Sequence, residues 1–222
     1  MTWKRTSPMD VYRQLLEAYG PQGWWPADTP FEVMVGAVLT QNTSWNNVEK
    51  AIDNLKRADM LSAEEIAEAD TDALAELIRP SGFFRQKSLR LQEIARFFLS
   101  HGRTEGLKRW PTTSLRIRLL DVYGVGPETA DSILLYALDK PVCVIDAYTL
   151  RIFHRLGLIP EKMDYDKAQN FCHQRLAQTL PLLQEFHALI VEHAKRHCTK
   201  KPACEHCPLQ ARCVYFHEQG KL

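Results

Sequence analysis

Between Leu119 and Ala130 the chain reads Leu119-Leu120-Asp121-Val122-Tyr123-Gly124-Val125-Gly126-Pro127-Glu128-Thr129-Ala130, and this segment constrains the fold more than any other. Apolar helical sequence runs into Gly124-Val125-Gly126, and Pro127 stands where proline favours the first position of a new helix. Two glycines around one apolar residue permit a tight turn with positive φ. They also leave backbone N–H groups bare at a helix start, where these can hold a phosphate without any side chain. Gly124, Val125, Gly126 and Thr129 are therefore candidate nucleic-acid contacts. An ordinary corner between two helices is the plainer reading of the same turn.

The rest of the chain supplies helices to surround this corner. Val48, Ile52 and Leu55 fall on one helical face, as do Leu91, Ile94 and Phe98. Ser62 with Glu65 reads as a capping box, and Arg79-Pro80-Ser81-Gly82 closes the helix after it. No stretch alternates long enough to demand a strand. The expectation is an all-α protein of two helical lobes: a barrel-like central lobe over residues 29–140 that carries the hairpin, and a second lobe from residues 1–28 with 141–222. The N-terminal helix of the second lobe would run over Asp10–Tyr19. A cleft between lobes is a natural place for a site.

A length of 222 residues, with 45% hydrophobic and 25% charged residues, belongs to a folded globular chain. Apolar runs such as Val33–Leu39 are too short to cross a membrane, and Met1-Thr2-Trp3-Lys4-Arg5 leads into polar sequence rather than an apolar signal core. A soluble protein of the bacterial cytoplasm with no membrane partner is expected, acting as a monomer. The net charge of +1 points to no partner by itself. Three basic clusters do: Arg85, Lys87 and Arg90; Lys108, Arg109, Arg116 and Arg118; Lys195, Arg196, Lys200 and Lys201. They read either as solvated helix faces or as a surface that tracks phosphates.

Two of six cysteines, Cys143 and Cys172, stand alone in apolar sequence as core residues. The other four, Cys198, Cys204, Cys207 and Cys213, form C-x5-C-x2-C-x5-C. Four thiols this close in an intracellular chain imply a metal or a cluster rather than disulfides. One helix beyond the hairpin lies Val142-Cys143-Val144-Ile145-Asp146-Ala147-Tyr148-Thr149-Leu150-Arg151. Asp146 follows an apolar run and precedes an amphipathic stretch (Leu150, Phe153, Leu156), which places it as a helix N-cap.

A Gly-Val-Gly hairpin followed by an apolar-Asp-x-x-x-x-Arg segment resembles the helix-hairpin-helix DNA glycosylase superfamily, whose best-known member is endonuclease III. The resemblance implies that Asp146 is catalytic, stabilising the cationic sugar that forms as a glycosidic bond breaks and helping to activate water. Bifunctional members carry a lysine two residues after the second hairpin glycine, where this chain has Glu128. A carboxylate cannot form a Schiff base, so a glycosylase without strand-nicking activity is implied. The cysteine loop is similar to that of endonuclease III with one residue fewer in the first gap. It implies a [4Fe–4S] cluster, with zinc as the alternative, and a loop that aims Lys200 and Lys201, assisted by His197 and Arg212, at the DNA backbone. The resemblance makes Gln41 the residue that fills the gap left by a flipped nucleotide.

The wording Gly36-Ala37-Val38-Leu39-Thr40-Gln41-Asn42-Thr43-Ser44-Trp45, with Trp24-Trp25-Pro26 and Arg79-Pro80-Ser81-Gly82-Phe83-Phe84-Arg85-Gln86-Lys87, looks like the 3-methyladenine DNA glycosylase III branch. The likeness runs from the N-terminal helix to Pro160. It implies that Trp24, Trp25 and Trp45, with Glu128, line the base pocket. Indole faces suit an alkylated, electron-poor base through stacking and cation–π attraction. The implied partner is double-stranded DNA with a damaged base, and the implied reaction is excision of alkylated purines, 3-methyladenine first. Excision of oxidised or deaminated pyrimidines is the enzymatic alternative. A non-catalytic DNA-binding module is the alternative of another class. The best-known alkyl-purine member lacks the cysteine loop, and here the chain departs from the branch.

Overall fold

The computed structural model describes residues 6–219; Met1–Arg5 and Gly220–Leu222 lie outside the described residues. Among the described residues there is no strand, and the all-α expectation holds. The helices are α1 (Pro8–Tyr19), α2 (Pro30–Leu39), α3 (Trp45–Arg57), α4 (Ala63–Glu68), α5 (Thr71–Leu77), α6 (Phe84–Ser100), α7 (Arg103–Lys108), α8 (Thr112–Leu120), α9 (Pro127–Ser132), α10 (Ala147–Arg155), α11 (Tyr165–His173), α12 (Leu180–Arg196) and α13 (Val214–Gln219). They divide into two compact units, one of Trp25–Lys140 and one of Met1–Trp24 with Pro141–Leu222. No described helix is long and apolar enough to cross a membrane.

In the first unit α2 is the axis. Thr29 caps it by accepting from the Glu32 N–H, Pro30 occupies its first turn, and every residue from Phe31 to Leu39 is buried. A helix that is apolar all round must be enclosed, and α3, α6 and the π-helical turn Ile133–Ala137 pack against α2. Glu32 is the one charged residue in this run. It is paired with Lys56 at 2.8 Å, which compensates its burial. The stripe Val48, Ile52, Leu55 faces inward as the periodicity required, and so do Leu91, Ile94 and Phe98 on α6. Ser62 caps α4.

One member of the first basic cluster is internal, against the surface reading. Lys87 is 1% exposed, and its Nζ donates to the Leu39 and Ser81 carbonyls at 2.7 Å each. The ammonium thus closes the C-terminal end of α2 and ties it to the turn before α6. Burial, with Arg90 nearby, lowers its pKa to about 8. Two other basic residues are taken up by ion pairs: Arg116 with the buried Asp131, and Lys108 with Asp139.

In the second unit α12 carries the core, with α1 and α10 packed on it. Leu183, Phe186, Leu189 and Ile190 of α12 are buried, and Phe186 meets Phe153 of α10 at 6.2 Å between ring centroids. The buried segment Val142–Ile145, outside any helix, leads into α10. Cys143 and Cys172 lie in this core as expected.

Candidate active site and nucleic-acid interface

Asp146 is the N-cap of α10, in extended backbone conformation, as its sequence position foretold. One carboxylate oxygen, Oδ1, accepts from both the Thr149 N–H and the Thr149 hydroxyl at 2.7 Å each. The other, Oδ2, lies 3.7 Å from His187 Nε2. The residue is 7% exposed. Burial alone would raise its pKa, but the His187 side chain and the two Thr149 donors outweigh burial and hold the carboxyl below the usual carboxylate range. An ionised, rotationally fixed carboxylate in a low-dielectric setting is suited to stabilising a nearby cation. His187 escaped the sequence reading. Its signal was a titratable side chain on the apolar stripe of Leu183, Phe186 and Ile190, a pattern that core histidines share. The Trp24 ring lies against His187 at 5.5 Å.

The hairpin forms between α8 and α9. Gly124 has φ +80 and takes the left-handed conformation, while Gly126 is extended at φ −92, ψ 177. The positive φ that the sequence permits here falls on Gly124 alone of the two. A Cβ on Gly124 would fall 2.3 Å from Arg90 Cγ, whereas one on Gly126 would meet nothing within 4 Å. Pro127 opens α9, and the α9 backbone continues into the π turn without a break. Gln41 is drawn into this corner. Its Nε2 donates to the Gly124 carbonyl and the Thr129 hydroxyl, both at 2.9 Å, and its Oε1 accepts from Arg90. Its amide therefore braces the hairpin in this conformation, and a gap-filling role requires release of these bonds. Val125 and Thr129 are buried, Glu128 is exposed in the first turn of α9, and Tyr123 is 58% exposed.

Phe83, also missed, stands in the left-handed region at φ 47 with 64% of its surface exposed. A bulky residue in that conformation is uncommon and costs about 1–2 kcal/mol. The legible signal was Phe83-Phe84, two neighbouring aromatics that cannot share one buried helix face.

The aromatic residues separate. Trp25 meets Trp45 edge-on at 5.3 Å and Tyr136 at 5.2 Å. Gly36 makes room for Trp25, since a Cβ there would lie 3.3 Å from the indole. Trp45 Nε1 donates to Glu49 at 2.8 Å. Trp24 belongs with His187 instead. Tyr136 is the residue that sequence reasoning did not add; an apolar run of core residues hid it.

Cys198, Cys204, Cys207 and Cys213 line one small cavity of about 20 Å³ together with Ile152, Leu156 and Leu209. Arg155 of α10 donates to the Cys198 sulfur at 3.2 Å and to the Thr199 carbonyl at 2.7 Å, and Arg151 to the Cys198 carbonyl at 2.8 Å. Burial, together with its fellow cysteines, pushes the Cys207 thiol up to about 11, so four thiolates here would need a cationic centre among them. Among the described residues no three side chains close on one point as a single metal ion requires. Beside the cavity, burial and the His197 ring lower His193 to about 4, and burial raises Tyr19. Lys200 and Lys201 flank Cys204 around an open hollow with Tyr215 and Phe216.

Residues 35–178 match the model of the HhH-GPD superfamily of base excision DNA repair proteins. A provisionally named DNA repair glycosylase of Methanocaldococcus jannaschii is 50% identical over 207 residues, 92% of this chain and 94% of that protein. Endonuclease III of Thermotoga maritima is 32% identical over 86% of each chain. The crystal structure of H. pylori 3-methyladenine DNA glycosylase bound to 1,N6-ethenoadenine is similar with a TM-score of 0.75 and 34% identity, covering 86% of this chain and 98% of that one.

Proposed function

The chain belongs to the HhH-GPD superfamily of base excision DNA repair proteins, and within it we propose a monofunctional DNA N-glycosylase that excises alkylated purines such as 3-methyladenine from double-stranded DNA. The observation that carries this reading is the Asp146 carboxylate. Its Oδ1 is saturated by Thr149, which leaves Oδ2 to face the positive charge that develops on the sugar as the base departs. His187, 3.7 Å from that oxygen, is a positioning residue that favours the ionised form.

Substrate class rests on the aromatic residues. Trp25, Trp45 and Tyr136 offer π faces to a base whose ring alkylation makes it electron-poor and a ready leaving group, so little acid catalysis is needed. The likeness to the H. pylori enzyme, whose crystal structure holds a modified adenine, supports the same class. Absence of strand cleavage follows from Glu128. Lys87 does not substitute for a catalytic amine, because its ammonium is engaged by two carbonyls. The hairpin backbone supplies phosphate contacts, Lys200 and Lys201 add charge, and Phe83 has the exposure and shape of an apolar wedge that helps to open a base step.

For the cysteines the reading is a [4Fe–4S] cluster. A cluster takes one thiolate on each of its irons, and the four cysteines that line one cavity supply that donor set; a zinc ion bound by the same four sulfurs is the alternative. Bound there, the cluster would cross-link the loop that carries Lys200 and Lys201. The likeness to T. maritima endonuclease III and the cysteine loop favour a second reading, excision of oxidised or deaminated pyrimidines. Release of 3-methyladenine from alkylated duplex, set against release of thymine glycol or uracil from defined duplexes, decides between them. Methylated purine alone is the expected product, and pyrimidine release without it would overturn the assignment.

A further inference from the structure

A second set of side chains is organised around one cysteine. Tyr19, at the end of α1, places its hydroxyl 2.8 Å from His193 Nδ1. On the other side of the same imidazole, Nε2 lies 3.8 Å from Cys207 Sγ. His193 is 2% exposed. Tyr19 and His197 both pack near the ring, at 6.1 and 5.7 Å, and stack on each other at 6.5 Å. The Arg196 guanidinium covers Tyr19 at 4.9 Å.

The chemistry selects one arrangement of protons. A ligating thiolate accepts hydrogen bonds and cannot donate them, so a bare Nε2 would set a lone pair against a negative sulfur. Nε2 must therefore carry the hydrogen. In a neutral ring Nδ1 is then the acceptor, and only a donating Tyr19 hydroxyl satisfies it. Three groups from α1, α12 and the cysteine loop form one directed chain, Tyr19 O–H to His193 Nδ1 and His193 Nε2–H to Cys207 Sγ. Outer partners that fix a ring and its tautomer in this way tune the centre they face.

We propose that Tyr19 and His193 are positioning residues for the cysteine centre, and that the His193 donor at Cys207 raises the reduction potential of the cluster held there and slows its oxidation. The inference rests on the cluster reading above. Hydrogen bonds to cluster sulfurs offset negative charge and stabilise the reduced form.

The test compares the purified full-length wild type with His193→Leu, His193→Gln and Tyr19→Phe, by ferricyanide titration and by the rate at which the absorbance near 400 nm bleaches in air. His193→Leu is expected to move the oxidised-to-reduced ratio at fixed potential about tenfold toward oxidised, roughly 59 mV for one electron. His193→Gln, which keeps a nitrogen donor of similar reach, should stay near wild type. Tyr19→Phe keeps the ring and frees the tautomer, and should shift the same way by less. A brown wild type whose Tyr19→Phe and His193→Leu forms titrate and bleach like it would overturn this inference while leaving the cluster in place. A colourless, zinc-loaded wild type would overturn the cluster reading and this inference with it. Should His193→Leu fail to accumulate, Tyr19→Phe decides.

Discussion

Gly124 and Gly126 stand two residues apart and answer to different constraints. Gly124→Ala forces a side chain into φ +80 and onto Arg90, and should lower stability by about 1–2 kcal/mol in denaturant unfolding. Gly126→Ala meets no protein atom. It should unfold like wild type yet bind duplex DNA about tenfold more weakly, a loss of roughly 1.4 kcal/mol, because on the proposed reading a phosphate approaches the hairpin backbone where the added methyl would stand. Equal affinity in a fluorescence-anisotropy titration would remove the hairpin from the interface. Glu128 makes a further prediction at this scale: borohydride should trap no enzyme–DNA adduct in good yield. Asp146 was legible because an acidic residue between an apolar run and an amphipathic helix has few other uses. His187 was not, since sequence cannot show which oxygen a buried ring faces. Lys87 was misread because closeness in sequence to Arg85 and Arg90 says nothing about which face of α6 is enclosed.

At the scale of elements, α10 ties Asp146 to the cysteine loop. Its N-cap is Asp146, and its C-terminal half sends Arg151 and Arg155 to the backbone of the cysteine loop. The fixed end of α2 is the counterpart in the other unit, where Lys87 joins Leu39 to Ser81. Its pKa falls from 10.5 unfolded to about 8 folded. The unfolded chain therefore binds more protons between those values, so this lysine's contribution to stability rises with pH across the window and is constant outside it. The wild-type stability minus that of Lys87→Met should climb from pH 8 to 10.5, and a flat difference would contradict the burial argument. Helices with a stripe, such as α3 and α6, were readable from periodicity. The turn Ile133–Ala137 was not. Its π character rests on a Leu138 N–H to Ile133 carbonyl bond at 3.2 Å, and a run of uniformly buried residues carries no phase to announce a changed helical period.

For the whole molecule, a net charge of +1 leaves DNA affinity to local features rather than to the overall field. Lys200→Ala with Lys201→Ala should reduce the slope of log affinity against log salt by about 0.9 for each phosphate no longer neutralised; an unchanged slope would show that the loop only solubilises itself. The chain passes between its two units at Trp24–Trp25 and at Lys140–Pro141, and the sequence reading puts these lobe boundaries at 28/29 and 140/141. What remained hidden was the division of labour between the two indoles, because neighbouring side chains in a loop point where packing sends them. On the proposed function, the Asp146 carboxylate carries catalysis. Single-turnover release of 3-methyladenine from alkylated duplex by wild type and by Asp146→Asn, with affinity for the same duplex measured alongside, tests this most directly. The expected result is release slowed by roughly 100-fold or more with affinity retained; excision by Asp146→Asn at the wild-type rate would contradict it.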